Sequence, residues 1–186
     1  VTAGPMSFVR LGSCGGVSEA AAPGVVVANT PGSVAVSRNL DHDFSSGDAA
    51  GAYLVTARPA APDGPLAAAV AAALAAELGE ARVLEALNAS ATSFYDAQGR
   101  DDPAFRDDNG GVLASLRAKH ARVASMEMES FTLLHLAACC DTIKAATCAV
   151  VAANRVTGAV VDTDAFRAAE RASGVAVLKA ITAVAP

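Results

Sequence analysis

The run IKAATCAVVAANR (143–155) constrains this chain more than any other stretch. It is apolar nearly throughout, and a strand with one face in water would alternate instead. The run therefore predicts a strand buried on both faces. Such a strand needs cover on two sides, and the rest of the sequence supplies it. PLAAAVAAALAAEL (65–78) predicts a helix with Asp63 as its N-cap, and GGVLASLRAKHA (110–121) a second. SFTLLHLAACC (130–140) predicts a third, capped by Ser130, and 162–185 a fourth, capped by Asp162 or Thr163. Further strands are expected at SFVRLG (7–12), GVVVAN (24–29), SVAVS (33–37), AYLVTA (52–57), ARVLEALNASAT (81–92) and RVASMEME (122–129). The first of these should stop at a Gly-rich turn, GSCGG (12–16). RNLDHDFSSGDAAG (38–51) and SFYDAQGRDDPAF (93–105) read as loops. Strands alternating with helices predict an α/β fold with a central sheet, in one domain over 1–186.

Composition excludes several classes of function. With 53% hydrophobic and 18% charged residues the chain is globular, and its net charge of −5 gives no basic surface for nucleic acid or anionic membranes. The Ala-rich run falls short of the ~20 residues a membrane span needs. Cys14, Cys139, Cys140 and Cys148 fit neither a zinc knuckle nor a redox pair, and are expected to be buried reduced thiols in a reducing, cytoplasmic setting. His135 falls on an apolar helix face as a core histidine, and His120 at a polar helix end as a solvated one. Neither HExxH nor HxxxH occurs, nor a phosphate-cradling Gly motif, so no metal and no dinucleotide is expected. Val1 opens almost directly into a strand, as a processed chain or a fragment would.

Four stretches place polar residues where burial or a tight turn is expected. Arg10, followed by Ser13 in the Gly-rich turn, either completes an anion site or snorkels from a plain turn. In FYDAQGR (94–100), Phe94 could stack on a planar heterocycle while Gln98 and Arg100 grip its edge; the alternative is a surface loop anchored by its aromatics. In MEMES (126–130), Glu127 and Glu129 would share one strand face. A buried carboxylate costs several kcal/mol unless paired, so these are a site, a structural ion pair or a strand end reaching water. Asn154-Arg155 ends the longest apolar strand, where ligand sites of α/β sheets gather, or where a strand simply emerges.

Taken together and in order, FVRLGSCGGV (8–17), SFYDAQGR (93–100), SMEMESFTLLHLA (125–137) and CAVVAANR (148–155) resemble the nucleoside phosphorylase superfamily of the purine and uridine type. The aromatic–Gln–x–Arg loop is similar to that of its uracil-specific branch. The resemblance implies a three-layer α/β/α fold with a mixed, partly barrel-like sheet, of which this chain would be the C-terminal two-thirds. It implies that Arg10 and Ser13, with Cys14 and Gly15 beside them, meet phosphate. Phe94 would line the base and sugar pocket, and Gln98 and Arg100 would bond the uracil ring. Met128 would pack under the ribose, Glu129 would accept its hydroxyls, Glu127 would line the pocket and Arg155 would stand near the base. The reaction implied is reversible phosphorolysis of uridine in pyrimidine salvage, with inorganic phosphate as co-substrate and no other cofactor, in a homo-oligomeric dimer or hexamer. The alternative is an inactive homologue with a structural or storage role. An NRVTG sequence (154–158) stands where the purine branch carries an Asp, which argues against purines.

Overall fold

The computed structural model describes residues 4–100 and 102–184. Among them, eight strands form one mixed sheet: β1 (Met6–Gly16), β2 (Val26–Ala28), β3 (Ser33–Arg38), β4 (Tyr53–Val55), β5 (Val83–Glu85), β6 (Leu87–Ala91), β7 (Val123–Glu127) and β8 (Ile143–Asn154). The helices are α1 (Gly64–Leu78), α2 (Val112–Lys119), α3 (Ser130–Ala138) and α4 (Thr163–Ala183). The order across the sheet is β4-β3-β6-β7-β1-β8-β2-β5. β5 and β6 are separated in sequence by Ala86 yet stand far apart in that order, so the sheet curls until its β5 edge returns beside β6. The small side chains of Ala86, Ala124, Ala149 and Val151 fill the inside of that curl with Cys14 and Val27.

The apolar run 143–155 forms the strand buried on both faces that its pattern predicts, as far as Asn154. β8 runs parallel to β1 on one side and antiparallel to β2 on the other, and Ala145 to Val151 are buried throughout. Above it lie α1 and α4. Asp63 caps α1 by accepting the Leu66 N–H at 2.9 Å, and Asp162 caps α4 by accepting from Asp164 and Ala165. In α1, Leu66, Val70 and Leu74 recur at four-residue spacing and are fully buried, each stabilising by about 1.5–3 kcal/mol. α4 turns Ala169, Ser173, Ala176 and Ala180 inward, and these small residues let it lie close against α1 and the sheet.

Several local expectations are corrected. GSCGG is not a turn that stops a strand: β1 continues through Gly16, because β8 pairs with Ser13 to Gly16 and β7 with Gly15 and Gly16. Flanking strands on both sides outweigh the weak strand preference of glycine. The ladder slips once, with Cys14 opposite Val151 and Gly15 opposite Ala153, so Ala152 bulges out at the end of β8. The β-like span 81–92 divides into a 3-10 turn (Glu80–Arg82), β5 and β6. β7 ends at Glu127, so Glu127 and Glu129 do not share a strand face. Ser130 is not the cap of α3: Glu129 holds the cap position, and the carboxylate of Glu127 accepts the N–H groups of Glu129 and Ser130. Cys14 and Cys148 are buried, but Cys139 is exposed and Cys140 half-buried, since α3 stops before them. His135 is exposed and stacks on Phe131 rather than entering the core. The His120 ring is held rather than solvated, with Nε2 2.8 Å from the Thr56 carbonyl oxygen.

Candidate active site

A cleft of about 360 Å³ opens where β1, β7 and β8 end around the bulge at Ala152. That volume is within the range of small-molecule sites. Its most connected member is Glu127, whose side chain is 3% exposed. A carboxylate so placed needs full hydrogen bonding. Oε1 accepts from Asn88 Nδ2 and Ser90 Oγ, both at 2.5 Å. Oε2 accepts from the N–H groups of Glu129 and Ser130, both at 3.0 Å, and faces Arg10 Nη2 at 3.1 Å. Burial alone would raise the Glu127 carboxyl. Arg10, Ser90, the Glu129 N–H and Asn88 outweigh that and hold it below the usual carboxylate range. Ser90 Oγ in turn accepts the Phe131 N–H at 2.8 Å, so one network ties β6 and β7 to the first turn of α3.

Arg10 sits mid-strand on β1 and folds its guanidinium back over Gly12. A Cβ on Gly12 would stand 2.7 Å from Arg10 Nη2, so any other residue would push the guanidinium away. Nη2 pairs with both Glu127 and Glu129. Nη1 is buried and has no hydrogen-bond partner among the described residues. Arg10 also lines the cleft, and a guanidinium with an unsatisfied nitrogen can take an anion as a further partner. The Glu129 side chain is 60% exposed, so of the two glutamates it is the one that solvent and ligands can reach.

Beyond β6 the chain forms a short 3-10 turn, Asp96–Gln98, closed by Gly99 at φ 62°. Arg100 N–H donates to the Tyr95 carbonyl at 2.9 Å. Gln98 is buried, and its side chain lines the cleft. The Arg100 guanidinium lies 4.2 Å over the ring of Phe94, and its Nε is buried without a partner among the described residues. From the opposite wall, β8 ends at Asn154, whose side chain is consumed by structure: it donates to the carbonyls of Ser18 and Ala21 and accepts from Val156 and Thr157. Arg155 enters the cleft across Gly15, where a Cβ would meet its Cδ at 3.3 Å. Burial, with Arg100 and Arg117 nearby, lowers the Arg155 pKa. Cys14 also lines the cleft. Burial and the Glu127 charge push its thiol up to about 12, so it is a neutral wall and not a nucleophile.

Of the residues singled out from the sequence, Arg10, Ser13, Cys14, Gly15, Phe94, Gln98, Arg100, Glu127, Met128, Glu129 and Arg155 line this cleft, while Asn154 does not. Sequence reasoning missed Gly12 and the Asn88–Ser90 shelf. The signal for the shelf was present as two polar residues at period two in the apolar strand LNASA, facing Ser33 and Ser125 across the sheet. The cleft joins an anion donor, an exposed carboxylate and an aromatic–amide–guanidinium cluster. It can therefore hold an anion, a polyhydroxylated group and a planar polar ring side by side.

Comparison with known proteins bears on the family and the fold. A family model described as the phosphorylase superfamily matches residues 1–184. A solved structure from a study of two diverse uridine phosphorylases in the oomycete Phytophthora capsici is 36% identical, with a TM-score of 0.91; the match covers 100% of this chain and 68% of that one. A nucleoside phosphorylase of Trypanosoma brucei, described as showing uridine phosphorylase activity, is 18% identical with a TM-score of 0.75, over 96% of this chain and 64% of its own. The uridine phosphorylase of Schistosoma mansoni in complex with thymine is 22% identical with a TM-score of 0.64, over 94% and 60%. At those identities the last two speak for the fold alone, and the chain spans less than two thirds of their length. No curated protein matches the chain.

Proposed function

The chain belongs to the phosphorylase superfamily, and on that premise we propose that its cleft serves the reversible phosphorolysis of uridine to uracil and ribose 1-phosphate. The carrying observation is that Arg10, Glu129 and the Gln98–Arg100 pair line one cleft. In this reading the Arg10 guanidinium and Ser13 hold phosphate below the anomeric carbon, turning a bimolecular encounter into a positioned one. A phosphate oxygen forms the new C1′–O bond as the C1′–N1 bond breaks, and the electron pair leaves on uracil. Arg100 and Gln98 stabilise that anion as it develops, so the largest contribution is electrostatic and no protein nucleophile is needed. Glu129 turns from Arg10 to accept ribose hydroxyls, Met128 packs under the sugar, Phe94 flanks base and sugar, and Arg155 adds positive charge near the base.

The same proposal places the reaction in pyrimidine salvage in the cytoplasm. It takes inorganic phosphate as co-substrate with no metal or other cofactor, and it expects a homo-oligomer. Among the described residues no helix is long and apolar enough to cross a membrane, and the net charge of −5 offers nothing to nucleic acid. A competing reading, a homologue without turnover, draws on one observation: Arg10 Nη2 is occupied by Glu127 and Glu129. The two part on a single experiment, release of uracil from uridine with and without phosphate. Phosphate-dependent release supports phosphorolysis; a folded protein that binds neither phosphate nor uridine supports the competitor.

A further inference from the structure

The Gln98–Arg100 turn is seated by the buried Ala97 and by its own backbone hydrogen bonds, and a further anchor sets where it stands against the cleft. Its one regular element is a three-residue 3-10 turn, and Phe94 and Tyr95 before it are exposed. It is anchored from outside the cleft by Arg38, the last residue of β3. Arg38 Nη1 donates to Asp96 Oδ2 at 3.0 Å and to Asp107 Oδ1 at 2.8 Å. Asp96 opens the 3-10 turn that carries Gln98, and its other carboxylate oxygen takes the Ser93 hydroxyl. Asp107 lies where the chain returns from that turn, two residues before Asn109, whose side chain donates to the Arg100 carbonyl at 2.7 Å. One guanidinium nitrogen thus clasps the segment on both sides of Gln98 and Arg100.

The clasp is itself braced. Phe44, from the polar stretch between β3 and β4, has its ring centroid 3.6 Å from Arg38 Cζ. Tyr53 on β4 donates its hydroxyl to the Asp107 carbonyl at 2.8 Å. The Arg38 side chain is 29% exposed and those of Asp96 and Asp107 16% and 12%, so these charges are shielded enough for their bonds to matter. None of these groups lines the catalytic cleft. Their common effect is on where Gln98 and Arg100 stand.

We propose that Arg38 is a positioning residue for base recognition, acting through Asp96 and Asp107 to hold the Gln98–Arg100 turn against the cleft. This rests on the phosphorolysis reading for its kinetic consequence, though not for its structural one. Loosening the turn weakens the grip on the base while leaving Arg10 and Ser13 untouched. The discriminating variant is Arg38→Met, which keeps most of the side-chain length and removes both bonds. Its kcat/KM for uridine should fall about tenfold or more, since misplacement by an ångström can lower rates about a hundredfold. KM for phosphate should stay unchanged. Amide hydrogen exchange at Gly99 and Arg100 should quicken about tenfold or more, with α1 amides unaffected. Arg38→Lys should restore part of both, because a single ammonium can reach the two carboxylates that Nη1 alone now serves.

A rise in the KM for phosphate in parallel with the fall for uridine, faster exchange spread evenly through α1, or no change at Gly99 and Arg100 would each overturn the proposal. If the wild-type protein turns over no uridine, the phosphorolysis reading falls, and the exchange data still decide whether Arg38 holds the turn. Should Arg38→Met fail to fold, Asp107→Asn, which removes the charge and keeps the shape, is read by the same two measurements.

Discussion

Replacing Glu127 by Gln tests whether that carboxylate organises the cleft. The two side chains are nearly the same shape, so the substitution isolates charge and acceptor count. Every neighbour of both oxygens is a donor: Asn88 and Ser90 at Oε1, and Glu129 N–H, Ser130 N–H and Arg10 at Oε2. An amide placed either way turns its NH₂ against at least two of them, and the Arg10 charge loses its buried partner. Removing one side of a buried ion pair costs about 3–5 kcal/mol. In a domain of this size that lowers Tm by roughly 6–20 °C. Denaturant unfolding at several pH values is the assay. Because the folded carboxyl lies below its ordinary value of 4.5, its contribution is fully present above that pH and is lost as pH falls through the depressed folded value. The gap between wild type and variant should therefore be widest near neutrality and close in acid. A loss under about 1 kcal/mol at pH 7, where a fully bonded buried pair cannot be that cheap, would refute this account of the network.

Other consequences are simpler to state. Gly12→Ala should displace the Arg10 guanidinium and raise the Kd for phosphate about tenfold, measured by calorimetry, and it should lower Tm as well, because the same nitrogen pairs with the buried Glu127. Leu74→Ala should lower stability by about 2–5 kcal/mol in denaturant titration, since Leu74 is fully buried between α1 and the sheet. A thiol reagent at pH 8 should label Cys139 rapidly, while Cys148, pushed up to about 12 by burial, reacts only on unfolding.

What the sequence displays and what it hides divide along physical lines. β8 was legible because a strand covered on both faces leaves a continuous apolar run, and the Asp63 and Asp162 caps were legible because capping is local. The cleft residues were legible because they lie in short motifs whose chain order carries the resemblance. GSCGG misled because glycine reads as a breaker in isolation, whereas its strand conformation is imposed by β7 and β8. Ser130 misled for a related reason: it is the expected cap type, but the cap position falls on Glu129, the Glu127 carboxylate accepts the N–H groups of Glu129 and Ser130, and Ser130 Oγ is buried without a partner among the described residues. The Arg38 clasp was invisible, since its partners lie 58 and 69 residues away and no local pattern links them.

The central claim is that the Gln98–Arg100 pair carries the negative charge that builds on departing uracil. Steady-state uridine phosphorolysis by Arg100→Ala tests it most directly. Loss of one preorganised charge-stabilising donor predicts a fall in kcat of about 10²–10³ with the KM for phosphate preserved. An unchanged kcat for uridine would contradict the assignment of this cleft.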